Sequence, residues 1–303
     1  MTFDIVALGE PLYELNQQPD GRFLPGFGGD TSNVVIAAQR LGARTACVTR
    51  LGSDMFGDAI MDLWRNEGVD THAVIRDADA PTGLYFVTHF AKGHVFTYRR
   101  KDSAASLMTP ENLPEGLIAG AKFLHVSGIS QAISASASAT VTKAIAIARH
   151  AGRRISFDTN YRPKLWPPAA AWPAIREAAA AADILKTSEE DCQALIGIAD
   201  PREIARRFLD LGSTAVLVTL GSRGVLMATA DVMDIVPGFA VAAVDATGAG
   251  DAFTGAMLGE LSRGAELGAA VRFATAAAAL STLGYGAIAA LPRHPEVEAF
   301  LAR

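Results

Sequence analysis

Six short apolar runs punctuate the chain: Phe3 to Leu8, Thr45 to Thr49, Phe123 to Ser127, Arg154 to Asp158, Ile184 to Thr187 and Ala215 to Thr219. Each is strand-sized and reads as a buried parallel strand. Between them the spacing is helical, over Thr31 to Leu41, Asp54 to Glu67, Ser134 to His150, Ala169 to Ala182 and Pro201 to Leu211. Strands alternating with helices of this length predict an α/β fold, a doubly wound, mostly parallel sheet flanked by helices. Ligands of such sheets gather beyond the carboxyl ends of the strands. Ser127, Asp158, Asn160, Ser188 and Gly221 fall at or just past those ends.

Two stretches break the alternation. Tyr13 to Phe27 carries the turn residues Pro19-Asp20-Gly21 between extended pieces, and Thr82 to Arg100 reads as two strands joined at Lys92-Gly93. They predict a small β-sheet lid, about residues 12–27 and 82–101, on a single domain spanning 1–303. Leu84, Phe86 and Thr88 alternate with Tyr85, Val87 and His89, so both lid faces are substantially apolar. One face would cover a ligand and the other would meet a second copy of the chain; the alternative is that one face packs on the main sheet. Gly224 to Thr229 and Val232 to Val236 read as a hairpin through Ala230-Asp231, and Leu267 to Leu283 as an alanine-rich helix.

Composition narrows the classes. Half of the 303 residues are hydrophobic and 19% are charged, a globular balance. A net charge of −5 gives no reason to expect nucleic acid or an anionic membrane as a partner. No apolar run reaches the roughly 18 residues of a membrane span, and the first residues lack the basic start of a signal peptide. Cys47 and Cys192 stand alone without a CxxC and are expected to be buried and reduced, which fits a cytoplasmic protein.

Candidate chemistry concentrates in Asp245-Ala246-Thr247-Gly248-Ala249-Gly250-Asp251-Ala252-Phe253. Small residues let a backbone approach a ligand closely, and the helix expected from Asp251 to Leu261 presents unpaired N–H groups and the positive end of its dipole to an anion. A carboxylate beside such a turn repels a phosphate, but it makes sense as the group that takes a proton from an attacking hydroxyl. An N-capping aspartate after a glycine turn is the other reading, and the segment alone does not decide between them. A second cluster, Gly26-Phe27-Gly28-Gly29-Asp30-Thr31-Ser32-Asn33, leads into a helix and offers the acceptors and donors that a polyhydroxylated ligand needs. There too Asp30 as a simple N-cap is the alternative.

Together the two clusters resemble the signatures of the ribokinase-like (PfkB) carbohydrate kinase family. Gly28-Gly29-x-x-x-Asn33, with Gly42 and Gly52 downstream, resembles the N-terminal signature, and Asp245 to Asp251 with Ala252, Phe253 and Gly255 the C-terminal one. Ala246 departs from the pattern, which usually has a hydroxylated or branched residue there. The resemblance implies ATP-dependent phosphorylation of a sugar hydroxyl, with Asp251 as general base and the Gly248, Ala249 and Gly250 amides stabilising the transferring phosphoryl group. It places Thr219, Gly221, Ser222 and Gly224 of Val218 to Gly224 along the nucleotide, with Ser188 and Thr275. Ser188 and Asp191 stand where the family shows the Asn and Glu of an Asn-x-x-Glu motif that organises Mg²⁺ through water, so Asp191 or Glu190 would serve the metal. Thr275 stands where many relatives carry an asparagine. Asp245 and Thr247 match a monovalent-cation (K⁺) site of some members.

The substrate branch is read from other segments. Gly9-Glu10-Pro11, Gly83-Leu84-Tyr85, Tyr98-Arg99-Arg100, His125 to Ile129 and Asp158 to Arg162 resemble the 2-keto-3-deoxygluconate kinases. Such a substrate carries a carboxylate, for which Arg100 and Arg162 supply guanidinium forks, while Tyr85 and Tyr98 supply a flat wall. Gly28, Gly29, Asp30 and Asn33 would meet its hydroxyls. Three alternatives stand beside this: a kinase for a neutral sugar (fructose or ribose), a nucleoside kinase, and a non-catalytic sugar or nucleotide sensor. A lid-paired homodimer is expected.

Overall fold

The structure, a computed structural model, describes residues 2–90 and 93–303. The chain opens with β1 (Ile5–Leu8), leaves for β2 (Leu12–Gln17) and β3 (Phe23–Gly28), then runs through α1 (Asp30–Arg40), β4 (Thr45–Gly52), α2 (Met55–Glu67) and β5 (Val74–Asp77). After β6 (Leu84–Phe90) and β7 (Gly93–Arg99) come α3 (Glu115–Gly120), β8 (Phe123–Ser127), α4 (Gly128–Ala132), α5 (Ala135–His150), β9 (Arg154–Asp158) and α6 (Pro168–Ala181). The rest is β10 (Ile184–Ser188), α7 (Glu189–Ile196), α8 (Pro201–Leu211), β11 (Ala215–Thr219), β12 (Gly224–Ala228), β13 (Met233–Pro237), α9 (Ala249–Ser262), α10 (Leu267–Ser281) and α11 (His294–Leu301).

Nine strands form the main sheet in the order β13-β12-β11-β10-β9-β8-β1-β4-β5. From β11 to β5 the pairs are parallel, and β12 and β13 close one edge antiparallel. Helices cover both faces: Ile155, Phe157 and Leu185 pack on one side with α5, α6 and α8, while Ile184, Leu217 and Val225 pack on the other with α1, α9 and α10. Two-sided burial explains why these strands read as apolar runs. Strand β5 escapes a hydrophobic reading because Val74-Ile75-Arg76-Asp77 is short, half-exposed and at the edge.

A separate four-stranded sheet, β3-β2-β6-β7, is the lid. Its central pair, β2 with β6, is parallel, and hairpins flank it on both sides. Tyr85 and Val87 are buried with Leu12, whereas Leu84 and Phe86 on the other face are half-buried. Lys92 of the expected Lys92-Gly93 junction lies outside the described residues. No helix among the described residues is long and apolar enough to cross a membrane. Cys47 and Cys192 are buried free thiols.

Candidate active site

Several of the polar and charged residues that this chain buries gather where the carboxyl ends of β1, β8, β9 and β10 meet the amino ends of α1 and α9. Glu10, Asp30, Asn33, His125, Asp158, Asn160 and Lys186 are all buried there. Two helices set the frame. A Cβ on Gly255 would lie 2.5 Å from the Val34 carbonyl oxygen and 2.7 Å from the Ala37 Cβ, so only a hydrogen lets α9 pass this close to α1. The crossing brings Asn33 Nδ2, as donor, to 2.8 Å from Asp251 Oδ2.

Helix α9 starts at Ala249, earlier than the expected Asp251, with Gly248 as N-cap in the left-handed region (φ 77°) and no side-chain cap. Asp251 is therefore a first-turn residue whose carboxylate faces α1, and the N-cap reading falls. The Ala249 amide turns back to the Ala246 carbonyl at 3.2 Å and the Asp251 amide to the Gly248 carbonyl at 3.0 Å, with Gly250 between them on the first turn. Asp30 likewise is not an N-cap, because Gly29 holds that position on α1. Its Oδ1 accepts from the Thr31 amide at 2.8 Å and its Oδ2 from Asn160 Nδ2 at 2.9 Å. Asn160 reaches it with φ 33°, a left-handed backbone that asparagine tolerates better than most side chains.

Burial pushes the Asp251 carboxyl up to about 7, and the nearby Asp30 charge adds to this, while the Asn33 hydrogen bond and Lys186 oppose it. A general base must be ionised to accept a proton, and the Asp251 carboxyl is protonated below about 7, which sets the test of Asp251 in that role. Turnover is therefore expected to fall toward tenfold per pH unit on the acidic side of that midpoint. The kcat/KM profile between pH 5 and 9 measures it; a flat acidic limb contradicts the assignment. His125 is pushed down to about 4 by burial and stays neutral, its Nδ1 3.1 Å from Ser156 Oγ.

Asp191 is drawn inward. Its amide donates to the N-cap hydroxyl of Ser188 at 3.0 Å, and its Oδ2 accepts from Thr159 Oγ1 at 3.1 Å and from the Tyr161 amide at 3.0 Å. Burial raises its pKa. Glu190 is exposed. Among the described residues no group of three or more His, Cys, Asp or Glu side chains is arranged to hold a metal.

The residues expected along a nucleotide are spread over several elements. Gly221 (φ 61°) and Ser222 form an exposed turn after β11, and Gly224 returns the chain into β12. Thr219 Oγ1 donates to the Thr187 carbonyl at 3.1 Å. Thr275 is buried inside α10, its hydroxyl donating to the Val271 carbonyl at 2.8 Å. Asp245 gathers the Thr247 amide (2.9 Å) and hydroxyl (2.7 Å) on one oxygen and the Gly286 amide (2.9 Å) on the other.

On the lid side, Gly28 lies under the Tyr85 hydroxyl, which donates to buried Glu14. Tyr98 sits 5.7 Å from the Tyr85 ring, and the Arg100 guanidinium stands 5.6 Å over Tyr98. Arg100 is ion-paired with Glu10, whose other oxygen accepts from Ser103 Oγ at 2.6 Å. The Arg100 Nε–H is buried without an acceptor. Arg162 is half-exposed, 3.8 Å from Asp191.

Asp158 and Asn160, placed by the sequence at strand ends, stand in the site, as does Glu10 of the Gly9-Glu10-Pro11 segment; Lys186 joins them without a sequence reading. The signal was present for Lys186 and Asp158: charged residues inside the apolar strands Ile184–Ser188 and Arg154–Asp158 need a buried partner. They are each other's, in register on adjacent parallel strands.

Comparison with known proteins agrees with this geometry. A model of the pfkB family carbohydrate kinases matches residues 3–294. The chain belongs to that family. The kinase is 38% identical to the 2-dehydro-3-deoxygluconokinase of Thermoproteus tenax, over 98% of this chain and 94% of the relative. It is 37% identical to fructokinase-2 of Solanum habrochaites, over 96% of this chain and 94% of the relative. Among solved structures, an E. coli protein provisionally called ribokinase II, in complex with ATP and Mg²⁺, superposes with a TM-score of 0.91 at 26% identity, covering 99% of each chain. The kinase thus has a ribokinase-like fold and is a sugar kinase; its substrate is not separated by these identities.

Proposed function

We propose that this kinase transfers the γ-phosphoryl group of ATP to 2-keto-3-deoxygluconate, giving the 6-phosphate. The sugar hydroxyl oxygen forms a bond to the γ-phosphorus as the bridging P–O bond to the β-phosphate breaks. The hydroxyl proton passes to the Asp251 carboxylate and ADP leaves. Asn33 holds that carboxylate, and the Gly248–Gly250 turn supplies amide donors at a helix N-terminus.

The observation that carries the substrate assignment is the cation at the lid-to-core junction: Arg100 is half-buried just past β7, and its Nε–H has no acceptor. A substrate oxygen there would satisfy an otherwise orphaned donor, and a carboxylate would do so most strongly. Arg162, half-exposed beyond β9, is a second cation on the same side of the sheet. Arg100→Ala is expected to raise KM for the keto-deoxy acid at least tenfold and to leave KM for fructose within about threefold, a difference of about 0.7 kcal/mol or more in binding the acid group. Equal effects on both sugars would remove the carboxylate argument. One observation favours a neutral ketose instead: Glu10 already compensates the Arg100 charge.

Mg²⁺ fits this site as a companion of ATP. It retains most of its waters and needs only one or two carboxylates beside the phosphates, which matches a single inward carboxylate, Asp191, in place of a dedicated cage. When bound it would neutralise phosphate charge during transfer. Lid pairing into a homodimer is supported by exposed apolar side chains on both lid faces, Leu24 on the Tyr85 face and Phe23, Phe90 and Val95 on the Phe86 face, which a lone sheet would leave in water. Sedimentation at micromolar concentration should give twice the chain mass, and Leu24→Glu should lower it; a monomer in both cases contradicts the pairing.

A further inference from the structure

Lys186 is a residue that a buried strand would not normally hold. It follows Ile184-Leu185 on β10, on the sheet face covered by α9, and is 8% exposed. Its ammonium lies 2.5 Å from Asp158 Oδ2. A Cβ built on Gly250 would be 3.4 Å from Lys186 Nζ, so the ammonium rests against the backbone of the first turn of α9. This is the electrostatically wrong end: a helix N-terminus favours anions, and a cation beside it is repelled. As a purely structural pair it is also a weak device, since a buried ion pair is often no more stabilising than apolar residues of the same shape. An anion at the Gly248–Gly250 turn would resolve the conflict, meeting the amides and the ammonium together. Of the three ammonium protons one serves Asp158, which leaves two donors.

We infer that Lys186 holds the phosphoryl group during its transfer to the sugar, donating to its non-bridging oxygens while Asp158 holds the ammonium against Gly250. The inference rests on the reading of the Gly248–Gly250 turn as the phosphoryl seat. As the bridging bond of ATP breaks and the sugar oxygen attacks, charge on the three non-bridging oxygens needs fixed positive partners. The backbone amides are partial ones, and two of them turn back to carbonyls within the turn. Lys186 is a full charge. The same ammonium faces Asp251 of α9, and around that pair stand Asp158 and Asn160 on the β9 side, Asp30 and Asn33 of α1, His125 of β8 and Asp191 of α7. Lys186 therefore has two effects, charge on the phosphoryl oxygens and support for the ionised base.

Three variants separate these effects from simple pairing: Lys186→Met, Asp158→Asn and the two together. Lys186→Met is expected to lower kcat by about 10²–10³-fold with KM for the sugar within threefold, the size seen when one transition-state donor is lost. The double variant removes the orphaned carboxylate and should recover thermal stability but not kcat. Affinity for ADP with aluminium fluoride, a mimic of the transferring group, should fall at least tenfold in both lysine variants while affinity for ADP alone holds. A double variant with kcat near the parent, or unchanged aluminium fluoride affinity in both, overturns the inference and leaves Lys186 a counter-ion. Asp251→Asn, measured in parallel, keeps the aluminium fluoride affinity if the seat is correctly placed. Loss of that affinity there would instead overturn the reading of the turn.

Discussion

Asp251→Asn is expected to lower kcat about 10²–10⁴-fold, the usual contribution of a positioned general base. The substitution is nearly isosteric, and the amide oxygen still accepts from Asn33, so α1 and α9 keep their contact. What is lost is proton affinity at the atom facing the hydroxyl. KM for ATP and for the sugar should change by less than about threefold, because an interaction made only in the transition state leaves ground-state binding alone. Steady-state kinetics with ADP release as readout measures this. Turnover within tenfold of the parent would mean that another group takes the proton.

Gly255→Val is expected to lower stability and turnover together, although it acts at a distance from the reacting atoms. A side chain at Gly255 meets the Val34 carbonyl at 2.5 Å and the Ala38 amide nitrogen at 2.9 Å, both backbone, so the two helices must separate. Overpacking of this kind costs about 1–3 kcal/mol. It also moves Asn33 away from Asp251, and misplacement by about 1 Å can lower turnover a hundredfold. Urea unfolding and kcat, measured on the same preparation, should both fall, with Gly255→Ala intermediate. Unchanged kcat with reduced stability would show that the crossing supports the fold but does not position the base.

The fold was legible because its strands are covered on both faces. Six apolar runs gave the strands from β1 to β11 that form the centre of the sheet, and their helices lay between them. What was missed lay where burial is partial: edge strand β5, and the short helices α3, α4 and α11, which carry little apolar periodicity. The Gly248–Gly250 turn and the Asp30–Asn33 cluster were legible as motifs, but their geometry was not. Sequence spacing could not show that Gly29 and Gly248 take the N-cap positions, which turns both aspartates inward, or that Gly255 sets their separation. Lys186 and Glu10 were harder still. Each is one charged residue in an apolar context, and only the partners, Asp158 across the sheet and Arg100 from the lid, give it meaning.

A relative named for a keto-deoxy acid and one named for fructose are 38% and 37% identical to this chain. The direct measurement is kcat/KM with Mg²⁺ and ATP for 2-keto-3-deoxygluconate against fructose, read as ADP release. The account predicts at least a hundredfold preference for the acid, about 2.7 kcal/mol of transition-state discrimination. A preference for fructose would contradict it.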